Sequence, residues 1–174
     1  MSTGTRATTA FLLMIVVALV PPIPTTASAS ATDGAHPLWR WPIDAPRVVA
    51  SPYRAPAHEY GAGHRGIDIA TAQGTIVRAP ADGMIAFRGT VVDRPLITIE
   101  HPGGYVSTFE PLSSTLTPGD TVSAGEAVGT VAAGGHTVVG AMHLGVRLDG
   151  AYINPMLLFG PVPRAVLLPC CAAP

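Results

Sequence analysis

The chain has 174 residues and a formal charge of −1, from ten Arg, no Lys and eleven acidic side chains. That leaves room for one ordinary domain beside a short targeting segment, and it excludes the broad basic face that binds nucleic acid by neutralising many phosphates. A hydrophobic share of 48% argues for a folded core, while 19 Gly and 18 Pro favour short strands and turns over long helices.

The N-terminus reads as a secretory signal peptide over residues 1–31. Arg6 lies in a polar start, Phe11 to Val20 form the one long apolar run, and Ala27-Ser28-Ala29 or Ala29-Ser30-Ala31 offer small residues for cleavage. Even counted from Ala10, the run makes roughly 16 Å of helix against a hydrocarbon core of about 30 Å, too short to span. Export to the extracellular space or the cell envelope is therefore expected, with no stable membrane span after cleavage.

Residues 32–59 form a proline-rich, extended lead-in. Pro42 biases Trp41 towards an extended backbone, and the two-residue strand period then puts Trp39 and Trp41 on one face. These rings suit core or edge cover; contact with a substrate is the alternative.

Residues 60–160 are expected to form the core domain, and its first segment, Gly63-His64-Arg65-Gly66-Ile67-Asp68, carries chemistry. Metal ligands must all lie about 2.1 Å from one ion, whereas four residues of straight strand advance about 13 Å. His64 and Asp68 can share an ion only if the backbone curls between them, and Gly66 is the residue expected to permit it. A third ligand must come from elsewhere, and the best candidate is His143, in the strand-like Met142-His143-Leu144-Gly145-Val146. Two neutral His and one Asp would leave a zinc ion an open position for water, which suits catalysis. The bland alternative is a hydrogen-bonded turn pair at His64 and Asp68 beside a satisfied, half-buried His143.

Short apolar pieces then alternate with turn signals, as in an antiparallel sandwich or barrel. Ile85 and Phe87 alternate with Met84, Ala86 and Arg88, and Ile97 and Ile99 with Leu96, Thr98 and Glu100. His101 ends a strand before a Pro-Gly-Gly turn. The Gly119-Asp120-x-Val122-x-x-Gly125-Glu126-x-Val128-Gly129 stretch predicts turns with Val122 and Val128 pointing inward; carrier domains share this pattern, but a carrier needs a lysine and the chain has none. One helical turn is expected near residues 154–159, with Asn154 as cap and Pro155 in the first helical position. Residues 161–174 read as a tail whose adjacent Cys170 and Cys171 cannot staple distant parts of a core.

The ordered set His64-x-Gly66-x-Asp68, Gly74-Thr75-x-Val77-x-Ala79-x-x-Asp82-Gly83, Gly103-Gly104-Tyr105, the Gly119 to Gly129 segment and His143-Leu144 resembles the lysostaphin-like peptidoglycan metalloendopeptidases, the M23 peptidases. The resemblance covers roughly residues 60–159. It implies a small antiparallel β-sandwich or barrel-like core, zinc held by His64, Asp68 and His143, and bacterial peptidoglycan peptides as substrate. Histidines usual in the family fall at Pro111 and Ala141 here, so the likeness is to a degenerate, actinobacterial-looking branch lacking the usual two catalytic histidines. Glu110, next to one of these positions, and His136, after the flexible Gly134-Gly135 pair, are the residues left to carry the proton; His101 resembles another family histidine, with a turn role favoured for it.

The expected function is thus a secreted zinc-dependent metalloendopeptidase acting in cell-wall hydrolysis or remodelling. The alternatives are a non-catalytic envelope protein that binds peptidoglycan or activates a separate hydrolase, and a metal-stabilised structural domain.

Overall fold

Ile97 and Ile99 are fully buried while Thr98 is half-buried and Glu100 exposed, as period-two alternation requires of a strand with one face on a core. A computed structural model of the chain describes Met1, residues 36–134 and residues 140–160. The expected signal peptide, His136 and the tail with Cys170 and Cys171 lie outside those residues. The strands are β1 (Val49–Ser51), β2 (Gly66–Ala70), β3 (Ile76–Arg78), β4 (Gly83–Val91), β5 (Arg94–His101), β6 (Tyr105–Glu110), β7 (Leu112–Ser113), β8 (Thr121–Val122), β9 (Ala127–Val131), β10 (Ala141–Leu148) and β11 (Ala151–Ile153), followed by a 3-10 helix at Pro155–Leu158. All lie in one of the chain's two compact units, Ala35–Pro174.

Eight strands form one sheet in the order β1-β2-β10-β6-β5-β4-β8, with β11 also on β10, and β3-β9-β7 form a second. Every strand pair is antiparallel. The expectation of an all-β domain without long helices holds among the described residues. The sandwich or barrel form does not: the large sheet ends in β1 and β8, three and two residues long, which pair only inward, so no sheet closes on itself.

The core lies on one face of the large sheet. Ile67, Ile69, Ile85, Ile97, Ile99, Phe109, Met142 and Leu144 meet there, and Val77, Val128 and Val131 of the smaller sheet join the same cluster. Val122 and Val128 point inward as expected, with Gly119 (φ 98°) and Gly125 (φ 91°) at the turns before them. One alternation fails: Phe87 is 43% exposed. The register of β4 on β5 slips by one residue between Ile85 and Phe87, a bulge that turns Phe87 away from the core.

The lead-in is structural cover. The Trp39 ring packs against His101, Tyr105 and Phe159, and Trp41 also meets Phe159. The Trp39 amide donates to the Leu158 carbonyl, tying the start of the described region to its end. There Asn154 caps the 3-10 helix, its Oδ1 accepting from the Met156 amide at 3.0 Å, with Pro155 opening the turn.

Candidate metal centre

Antiparallel register brings two of the expected ligands together. β10 pairs with β2 so that His143 stands opposite Asp68, and directly paired residues project to the same face. His64 arrives from outside the sheet. It forms a single bridge with Arg54, and a bend at Arg65 separates it from β2. This bend, and not a left-handed Gly66, supplies the curl: Gly66 is an extended residue paired with Gly145.

The role of Gly66 is space. A Cβ there would stand 2.5 Å from His143 Nε2 and 2.3 Å from the Leu144 carbonyl oxygen. The imidazole of His143 therefore lies across bare backbone, with Nδ1 turned to the cluster.

Three atoms converge. His64 Nε2 is 3.1 Å from Asp68 Oδ1 and 3.2 Å from His143 Nδ1, and His143 Nδ1 is 2.9 Å from Asp68 Oδ1. Ligands about 2.1 Å from a tetrahedral ion stand roughly 3.4 Å apart, so the triangle is close to that of a bound ion. Its chemistry agrees. His64 Nδ1 donates to the Pro52 carbonyl at 2.8 Å, which leaves Nε2 of the neutral ring with a lone pair. That lone pair faces a carboxylate oxygen. Two acceptors at this distance need a proton or cation between them, and the three residues together can hold a metal ion.

Burial lowers the pKa of His143 from the usual imidazole range, against the hydrogen bond and charge of Asp68, which pull it up. The neutral imidazole so favoured is the ligand form. All three side chains keep some exposure, 13% for His64, 10% for Asp68 and 12% for His143, so the cluster opens to solvent.

Glu110 lies on the same face. It is the direct β6 partner of His143, so the row across three strands reads Asp68, His143, Glu110. Arg94 Nε donates to Glu110 Oε2 at 2.9 Å. Sequence reasoning missed Arg94, the Pro52 carbonyl and the space at Gly66, because each acts through a long-range pairing that no local pattern encodes.

His101 is placed elsewhere. It is buried at the end of β5, donating from Nδ1 to the Asp82 carbonyl at 2.9 Å and bonding through Nε2 to Ser107 Oγ at 2.8 Å. Ser107 is fully buried, so this Ser–His pair has no access to a substrate and serves the core. Desolvation lowers the His101 pKa, outweighing its backbone hydrogen bonds.

An antiparallel β domain gathers two histidines and an aspartate on the solvent side of its sheet, where together they can hold a metal ion. The chain belongs to peptidase family M23, whose model matches residues 62–155. It is 31% identical over 129 residues to the uncharacterised protein Rv2891 of Mycobacterium tuberculosis, covering 71% of this chain and 52% of that one. The DD-carboxypeptidase/endopeptidase Mpg of Neisseria gonorrhoeae is 35% identical over 102 residues, covering 58% of this chain and 24% of Mpg. The murein hydrolase activator NlpD of Salmonella typhimurium is 30% identical over 145 residues, covering 78% and 36%. Among solved structures, a zinc-containing peptidase from Vibrio cholerae shares the fold with a TM-score of 0.61 at 20% identity, over 74% of this chain and 41% of that one. The chain thus spans about half the length of its mycobacterial relative and less of the other two.

The expectation of a degenerate branch lacking the usual two catalytic histidines is corrected by the site itself. The cluster of His64, Asp68 and His143 contains two histidines with their ring nitrogens turned to one point.

Proposed function

We propose that the chain is an exported, zinc-dependent peptidase acting on the peptides of bacterial cell-wall peptidoglycan. The observation that carries this reading is the triangle of His64 Nε2, Asp68 Oδ1 and His143 Nδ1, with edges of 2.9 to 3.2 Å, in an M23 domain. A zinc ion held by these atoms would supply Lewis acidity to polarise a scissile carbonyl and to acidify water. The protein's own groups do the rest. The Pro52 carbonyl fixes the tautomer and orientation of His64. Asp68 and His143 are held by adjacent strands, so their spacing is set by the ladder. Glu110, in the row with His143, is the group proposed to accept the proton, at Oε1, while Arg94 holds Oε2. His136 is the other proposed carrier. The signal peptide over residues 1–31, the core domain over residues 60–160 and an envelope or extracellular location belong to the same proposal, as does peptidoglycan as partner.

The similarity to the murein hydrolase activator NlpD favours a second reading, in which the domain binds peptidoglycan and activates a separate hydrolase. One experiment separates the two. Purified peptidoglycan is incubated with the zinc-loaded protein and the soluble products are analysed by mass spectrometry. New peptide termini from the protein alone support the peptidase. Release only when a second hydrolase is added supports the activator.

A further inference from the structure

A cleft of about 800 Å³ lies beside the metal centre, its walls including Tyr53, Tyr60, Tyr152, Arg65 and Glu59. Gly145 stands between His143 of the metal centre and Tyr152 of the cleft. A Cβ there would stand 3.6 Å from His143 Nε2 and 3.7 Å from Tyr152 Cε1, so the ligand imidazole and the tyrosine ring flank one glycine. Arg65 follows His64 directly in the chain.

The cleft is built and held. Tyr53 Oη donates to the Tyr152 carbonyl at 3.2 Å, and the Arg147 guanidinium lies over the Tyr152 ring at 5.9 Å. Arg65 Nη2 donates to the carbonyls of Glu59 and Gly61, at 2.6 and 3.1 Å, pinning the loop that presents Tyr60. Yet Tyr60 is 87% exposed and Tyr152 46%. Ordered aromatic rings left open to water at a cleft mark a binding surface, since tyrosine offers both an apolar face and a hydroxyl.

We propose that this cleft binds the sugar rings of a glycan strand, as a neutral oligosaccharide of N-acetylated amino sugars. This rests on the reading of the chain as a cell-wall protein. Charge decides the class: one Arg and one Glu balance on the cleft wall, and Arg65 bonds to the main-chain carbonyl of Glu59 rather than its carboxylate. With Arg65 Nη2 engaged by main-chain carbonyls, the lining apart from Arg65 and Glu59, three tyrosines with Pro56, Gly150 and Ala151, carries no charge, and tyrosine rings and hydroxyls suit the C–H faces and hydroxyl groups of a sugar. A volume of about 800 Å³ falls in the range of small-ligand sites and admits more than one ring. The glycan would then be held next to the point where its attached peptide reaches His143.

The test is an NMR titration of the full chain with the β-1,4-linked tetrasaccharide of N-acetylglucosamine, repeated with a sugar-free wall peptide. The sugar is expected to shift the signals of Tyr60, Arg65 and Tyr152, and Tyr60→Ala and Tyr152→Phe to be compared at equal thermal midpoint, with Tyr60→Ala weakening sugar binding about five- to tenfold and Tyr152→Phe, which keeps the ring, weakening it less. No sugar binding at millimolar concentration, sugar binding unaffected by Tyr60→Ala, or occupation of the cleft by the sugar-free peptide instead would overturn the proposal. Binding is read without hydrolysis, so a failure here leaves peptide cleavage to be judged by its own assay, and a chain that binds sugar but cuts nothing supports this inference alone.

Discussion

Glu110 stands directly opposite His143 across the β6–β10 ladder, on the same face as Asp68. Its position is therefore fixed by two strand pairings rather than by a loop, and its carboxylate adjoins the metal centre with one oxygen already engaged by Arg94. From this placement, Glu110→Gln is expected to keep the shape and lose the proton acceptor. Peptide release should fall about a hundredfold at unchanged zinc content. A loss of that size in His136→Ala with Glu110→Gln near the parent would assign the proton to His136 instead.

Gly66→Ala tests the space on which His143 depends. The new methyl would meet the Leu144 carbonyl and the His143 ring, and the carbonyl is backbone that cannot swing aside. A destabilisation of about 1–3 kcal/mol, together with weakened zinc binding, is expected from denaturant titration and metal analysis. Gly145→Ala, whose Cβ meets nothing closer than 3.5 Å, should cost much less stability.

Much of this fold is legible in the sequence, and the exceptions share a cause. Ile97, Ile99, Val122 and Val128 were placeable because period-two patterning and glycine turns are local. Phe87 was not, because a single bulge after Ile85 inverts the remainder of the strand. The three metal-capable residues were legible by type and order. That Glu110 shares their face depends on register between strands more than thirty residues apart, which no local pattern specifies. The three tyrosines at positions 53, 60 and 152 carry no common signal at all; only the pairing of β10 with β11 and the bridge at Arg54 bring their segments together.

His101 gives the fold a pH dependence of definite sign. Its folded pKa is lowered by desolvation, so the unfolded chain binds the proton more readily. Its stabilising contribution is intact above the ordinary histidine value near 6.5 and declines as pH falls from there towards the folded value. Denaturation midpoints measured in steps from pH 8 to pH 5 should fall at the acid end, and His101→Gln should flatten part of that decline. An equal slope in both proteins would contradict the assignment.

The proposed export segment predicts a mature N-terminus near residue 30 or 32. N-terminal sequencing of protein recovered outside the cell checks it, and an intact Met1 in that fraction would count against cleavage.

His64, Asp68 and His143 are expected to hold one metal ion between them, and the measurement that decides this is zinc bound per chain after exhaustive dialysis. The expected result is close to one ion in the parent and in His101→Gln, and well below one in His64→Ala, Asp68→Ala and His143→Ala, because two remaining ligands hold an ion weakly. A folded parent that retains no zinc, or ligand variants that retain a full complement, would contradict it.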